Sequence, residues 1–167
     1  VQTIKLPSPL AELHDDNLTQ AVKSNARAIV LCTPSNPSGK MFSRVEIERI
    51  SKWAQLHDIL VISDEIYEYI RFDNTPHISP ATVPGLWERS VSLMGASKTF
   101  SITGWRLGYA VAPKHFIEKI TLANDIYFVC APTPLQHAVA RGYDAPISYF
   151  DNLATSYQVK RDLLCTA

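Results

Sequence analysis

ILVISDEIYEY, residues 59–69, decides how this chain folds. Its opening residues are apolar without alternation, the pattern of a strand covered on both faces, as in a parallel sheet flanked by helices. The run stops abruptly at Asp64-Glu65, with Tyr67 close behind. AIVLC (28–32) has the same character, and SVSLM (90–94) and GYAVA (108–112) supply two more expected strands.

Helical patterns separate these runs. Ser43 with Glu46 three residues on is a capping-box signature. Ile47, Ile50 and Ala54 then recur on one face, with Glu48, Arg49 and Lys52 toward water. An earlier helix is expected over 16–24, capped by Asp15 or Asp16 and facing Leu18 and Val22 inward. A long helix should follow Pro113, with Phe116, Ile117, Ile120 and Ala123 inward. Two more are expected, from Thr133–Pro134 and from near Ser148 to the C-terminus. The connection 64–89 is rich in Pro and polar residues and shows no helical period. Strand, helix and strand in alternation give right-handed crossovers and an open α/β sheet.

Bulk properties narrow the function. The chain has 167 residues, enough for one domain with a core, and 16 basic residues balance 16 acidic ones. That balance argues against a nucleic-acid or membrane-surface partner. No run approaches the roughly 18 apolar residues that span a bilayer. Cys32, Cys130 and Cys165 lack metal-ligand spacing and read as free, small buried hydrophobes in a reducing, cytoplasmic setting. The start, VQTIKLPSPL, lacks Met and a secretion signal, and the end, VKRDLLCTA, stops inside an expected helix. Both ends therefore read as cut from a longer chain.

In open α/β sheets, ligands bind beyond the carboxyl ends of the strands. Three such ends carry polar clusters here: TPSNPSGK with Asn36, DEIYEY with Asp64, Glu65 and Tyr67, and GASK with Lys98. Singly, each residue reads as a turn former, a cap or a solvated charge. Together, on parallel strands, Asn36, Asp64, Tyr67 and Lys98 converge on one rim.

Two ligands suit such a rim. ILVISDE resembles the strand that holds nucleotide-bound magnesium, but this needs a phosphate loop, G-x-x-x-x-G-K-[ST]. PSNPSGKM has Pro34 for the first glycine and Met41 for the hydroxyl, and SLMGASKT has Ser92 and Ser97 for its glycines. Both fail. The other ligand is pyridoxal 5′-phosphate, which needs a lysine for a Schiff base and a carboxylate against its ring nitrogen. It also needs donors to its phenolic oxygen and a cation near its phosphate. Lys98, Asp64, Asn36 with Tyr67, and Arg106 supply these in turn.

Three segments carry a family resemblance. SNPSGK resembles the N-P-[ST]-G motif of class I/II aminotransferases, of fold type I among pyridoxal-phosphate enzymes, and SDEIYEYIRFD resembles their D-E-x-Y segment. SKTFSITGWRLGY, from Ser97, resembles their S-K-[ST]-[FY]-x-x-x-G-[WY]-R-x-G-[YW] motif. The order and spacing match almost continuously from Ala28 to Pro113.

The resemblance implies a three-layer, open, mostly parallel sheet flanked by helices, with its last strand antiparallel. Residues 1–167 would be the central part of the cofactor-binding large domain, without the N-terminal segment and the C-terminal small domain. Lys98 would bind the cofactor aldehyde and shuttle the substrate proton. Asp64 would pair with the ring nitrogen, Asn36 and Tyr67 would hold the phenolic oxygen, and Arg106 with Ser97 would bind phosphate. Many family members carry a phosphate-binding serine three residues before the lysine, where this chain has Gly95.

Substrates would be an amino acid and a 2-oxo acid, and the full-length protein a homodimer. The same residues serve β-elimination or cyclopropane-forming synthase chemistry on this fold, and a noncatalytic module could retain the fold. YFVCAPTPLQHAVARG (127–142) lies near the dimer interface by resemblance; read from the residues, it is a buried helix pair containing Cys130 and Gln136. Bare sheet edges on both sides would leave the isolated segment poorly stable and inactive.

Overall fold

A computed structural model describes residues 8, 10–23 and 25–166. Strands β1 (Ala28–Cys32), β2 (Leu60–Asp64), β3 (Ser90–Gly95) and β4 (Gly108–Val111) form one sheet in the order β1-β2-β3-β4. The first three are parallel and β4 is antiparallel to β3. The register sets Cys32 opposite Asp64 and Asp64 opposite Leu93, so the polar segments after β1, β2 and β3 leave from one edge.

The helices are α1 (Asp15–Lys23), α2 (Arg44–Leu56), α3 (Ala96–Thr99), α4 (Lys114–Tyr127), α5 (Thr133–Gly142) and α6 (Ile147–Cys165). Asp15 and Asp16 stand inside the first turn of α1 rather than at its cap, where they complement the helix dipole. Leu18 is buried, while Ser24 and the side chain of Val22 lie outside the described residues. No described helix is long and apolar enough to cross a membrane.

The core lies between α1, α2 and one face of the sheet. Ile47, Ile50 and Ala54 of α2 are fully buried with Leu18, Leu31 and Val61. Fully burying an Ile or Leu side chain is worth about 1.5–3 kcal/mol, so this face fixes α2 on the sheet. The opposite face is less covered. Val30 is 70% exposed and Leu93 40%, so β1 is not buried on both faces as its composition suggests. Alternation still aims Leu31 into the core, but no described element covers Val30.

The same holds further along the chain. Phe116 and Ile117 of α4 are half-buried, whereas Ile120 and Ala123, expected inward, are exposed. Cys130, Cys165 and Gln136 are exposed and Cys32 is half-buried, which corrects their reading as buried groups. Their surroundings among the described residues leave one side of each open. Helix α6 instead straps the 64–89 connection: Arg161 forks onto Asp73 through two 2.7 Å bonds, and Gln158 accepts from Asp73 N.

The capping box forms as the sequence predicts, with Ser43 Oγ accepting from Glu46 N and Glu46 Oε2 accepting from Ser43 N. Glu46 also accepts from Leu13 N and from Lys40 Nζ at 2.7 Å, both side chains being buried. Burial alone would raise the Glu46 carboxyl, but Lys40 and the two backbone donors outweigh it and hold it below the ordinary 4.5. A depressed folded-state pKa stabilises the fold above the unfolded pKa, and that contribution is lost as pH falls through the folded value. Glu46→Gln should therefore lower the urea midpoint at pH 7 and converge on the wild type on acidification below about pH 4.5, as parallel urea titrations would read.

Candidate active site

Asn36, Asp64, Tyr67 and Lys98 do meet at the carboxyl edge of the sheet. Each is delivered by a different local device. Asn36 follows β1 in a tight loop that Gly39 N closes onto Ser35 O at 2.7 Å and Ser35 N closes onto Lys40 O at 2.9 Å. Gly39 has φ +71°, a conformation other side chains rarely adopt. The loop is pinned from behind, because Lys40 is the partner of buried Glu46 and also donates to Ala11 O.

Asp64 is the last residue of β2, and its Oδ1 accepts from Ile66 N at 3.2 Å. For Asp64 and Tyr67 to face one ligand, the chain must leave extended geometry between them. It does: Glu68 N donates to Glu65 O at 2.9 Å and Ile70 N to Tyr67 O at 2.7 Å, two consecutive tight turns. Asn36 Nδ2 then donates to the Tyr67 hydroxyl at 2.9 Å, which ties the ends of β1 and β2 together. Because Tyr67 accepts in this bond, its own O–H proton stays available to a third group.

Lys98 sits in α3, the single turn that caps β3, half-buried, with Nζ 5.9 Å from the centre of the Tyr67 ring. Tyr149 of α6 donates its hydroxyl to Thr99 O at 2.9 Å, and Phe100 packs against Tyr143, Tyr149 and Phe150. Ser97 is buried and its carbonyl accepts from Ile102 N at 3.1 Å. Arg106 is exposed, with one guanidinium nitrogen donating to Thr103 O at 3.2 Å. Arg106 has φ +56° and Ser101 φ +55°. Two left-handed residues within one short segment are costly for side chains with a Cβ, and such strain gathers at ligand sites.

Beneath this rim lies a network that the sequence reading passed over. Glu65 is fully buried on the sheet face opposite Asp64. It is hydrogen-bonded to His77 Nε2 at 2.6 Å and accepts from Ser79 Oγ at 2.9 Å. Burial pushes the nearby Glu68 carboxyl up, while His77 draws it down and Glu65 adds to the rise. The signal was present: the alternation of β2 assigns Glu65 to the core face, where an ionisable residue needs partners. His77 and Ser79 were not recognisable as those partners from spacing.

By their chemistry these groups suit the ring end of pyridoxal phosphate: an amine near a phenol that an amide holds, with a carboxylate on the same sheet edge. At the phosphate end, Gly95 offers no hydroxyl. A Cβ there would stand 3.0 Å from Ile66 Cγ1 and 3.1 Å from its Cδ1, so Ile66 has taken the room that a serine would need. The phosphate would then rest on Arg106, Ser97 and backbone N–H groups. A cleft of about 1140 Å³ opens beside the rim between β4, α4 and α5, lined by Arg106, Tyr109, Ile117, Leu135 and Tyr143. Lys98, Asp64, Tyr67 and Asn36 do not line it. Among the described residues, no three His, Cys, Asp or Glu side chains group as metal ligands would.

Sheet topology and rim together place the protein in the class of open α/β domains that present their chemistry beyond the strand ends. Residues 8–167 match the family model for aminotransferase class I and II, and the chain belongs to that family, whose members generally depend on pyridoxal phosphate. It is 40% identical over 153 residues to kynurenine–oxoglutarate transaminase 3 of Mus musculus, covering 87% of this chain and 33% of that protein. It is also 40% identical over 147 residues to kynurenine–oxoglutarate transaminase 1 of Homo sapiens, covering 83% and 35%.

Solved structures agree. N-succinyldiaminopimelate aminotransferase from Mycobacterium tuberculosis matches with a TM-score of 0.90 and 31% identity, covering 97% of this chain and 42% of that one. The aromatic aminotransferase of Pyrococcus horikoshii matches with a TM-score of 0.85 and 34% identity, covering 91% and 41%. The chain spans about a third of the length of the curated relatives it matches.

The packing of Gly95 is open to test. Gly95→Ser should destabilise the protein by about 1–3 kcal/mol through overpacking. Ile66→Ala in the same molecule should recover part of that loss, giving a favourable coupling above about 0.5 kcal/mol in a thermal double-mutant cycle.

Proposed function

We propose that the complete protein is a pyridoxal-phosphate-dependent aminotransferase that moves an amino group from an amino acid to a 2-oxo acid, and that this chain supplies the central part of its cofactor-binding domain. The observation that carries the reading is the convergence of Lys98, Tyr67 and Asn36, from three successive strand ends, with Asp64 on the same edge. When bound, pyridoxal phosphate supplies an aldehyde for an amine and a ring that accepts the electron pair left when an α proton departs. The chain's residues do the rest.

Lys98 Nζ would hold the cofactor and would carry the substrate's α proton. The Asp64 carboxylate holds a proton on the ring nitrogen. Asn36 Nδ2 and the Tyr67 hydroxyl orient the phenolic oxygen. Arg106, helped by Ser97, holds the phosphate. The covered face of the sheet and the turn at 65–68 keep these groups in fixed relation, and the balanced charge fits small-molecule substrates rather than nucleic acid or membrane. The same reading takes the full-length protein to be a cytoplasmic homodimer.

The test uses the full-length protein loaded with pyridoxal phosphate. Borohydride reduction followed by peptide mapping should place the cofactor on Lys98. The names of the relatives make kynurenine and 2-oxoglutarate the first pair to try. Lys98→Ala should cut turnover by about 10²–10⁴-fold or more. A label on another residue, or none at all, defeats the assignment; pyruvate and ammonia released from an amino acid would mean elimination instead of transfer.

A further inference from the structure

Glu65 is an ionisable side chain with no solvent exposure, set directly after Asp64. An apolar side chain would fill the same space without the cost of desolvating a carboxylate, so packing alone does not account for it. What the carboxylate adds is direction. Oε1 accepts from Ser79 Oγ at 2.9 Å, and Oε2 is hydrogen-bonded to His77 Nε2 at 2.6 Å. His77 Nδ1 is buried with no partner among the described residues, so the ring's one polar tie there is to Glu65. Ser79 Oγ lies 3.5 Å from Ser92 Oγ, which extends the network to the strand that ends in the Lys98 turn.

The backbone of Glu65 is held as firmly. Its N–H donates to Leu93 O at 2.9 Å, and its carbonyl accepts from Glu68 N at 2.9 Å to close the turn carrying Tyr67. Glu65 is thus fixed at its amide, its carbonyl and both carboxylate oxygens. A rotation of this residue would carry Asp64 off its face and open the Tyr67 turn together.

We propose that Glu65, gripped by His77 and Ser79, is a positioning residue that sets Asp64 and Tyr67 against the cofactor ring. The proposal rests on the pyridoxal-phosphate reading above and adds to it a layer beneath the rim. Glu65 acts through its neighbours and not by contact with the reacting atoms.

The experiment compares the full-length wild type with Glu65→Ala, Glu65→Gln, Ser79→Ala and Leu86→Ala, the last a fully buried core residue outside the network. Three quantities are read: the melting temperature, the dissociation constant for pyridoxal phosphate, and the midpoint pH of the bound cofactor's visible band. Glu65→Ala should weaken cofactor binding by about tenfold or more and move the midpoint. Ser79→Ala should shift both in the same direction by less. Glu65→Gln keeps the shape and can accept from Ser79 at its amide oxygen while its amide nitrogen donates to His77 Nε2 in the ring's other tautomer, so it should stay within about threefold of wild type. Leu86→Ala should lose melting temperature alone.

Unmoved affinity and midpoint in Glu65→Ala and Ser79→Ala overturn the proposal. So does an equal loss of affinity in Leu86→Ala at an equal fall in melting temperature. Should Glu65→Ala fail to fold, Ser79→Ala decides. Failure of the wild type to bind pyridoxal phosphate removes the underlying reading as well, whereas a wild type that binds beside unaffected variants removes the positioning role only.

Discussion

Parallel pairing of β1, β2 and β3 is the constraint on which the rest depends. Parallel strands end at the same edge, and the register that sets Cys32 beside Asp64 and Asp64 beside Leu93 brings three chain exits within side-chain reach. A slip of one residue would turn Asp64 into the core face and Glu65 toward the rim. The hydrophobic face of α2 forbids that slip, because it requires Leu31 and Val61 beneath Ile47 and Ile50. Core packing on one side of the sheet thus determines which polar groups appear at its edge.

Each exit is braced by a polar contact to a residue at or near the functional one. Behind Asn36 stand Lys40 and Glu46; behind Asp64 and Tyr67 stand Glu65, His77 and Ser79; behind Lys98 stands the Tyr149 hydroxyl on Thr99 O. Hydrogen-bonded anchors of this kind cost desolvation but fix orientation, whereas apolar packing fixes only volume. The rim itself stays partly open, with Asn36 and Arg106 exposed, so the order of the site comes from below.

Much of this was legible in the sequence because it depends on local chemistry. Unbroken apolar runs gave the strands to within a residue or two, and Ser43 with Glu46 gave the cap of α2. That Asn36, Asp64, Tyr67 and Lys98 share one edge follows once the strands are parallel, and Asn36 is bonded to Tyr67 there. What was not legible depends on distant partners. The exposure of Val30, Ile120 and Cys130 reflects what covers them, and no periodicity reports that. The link from Glu65 to His77 crosses 12 residues of irregular chain. The crowding of Gly95 by Ile66 arises from the approach of a turn, and a residue-by-residue comparison registers only a missing hydroxyl.

The bonds from Arg161 to Asp73 span 88 residues, so the strap over the 64–89 connection cannot close until nearly the whole segment has been made. On a growing chain, the sheet and α2 have their sequence available well before α6 emerges. Closing so long a loop is entropically slow. Synthesis would therefore yield the scaffold first and a seated rim last, and a nascent protein halted before α6 would carry every group of the candidate site without the clasp that steadies the chain between Asp64 and Lys98.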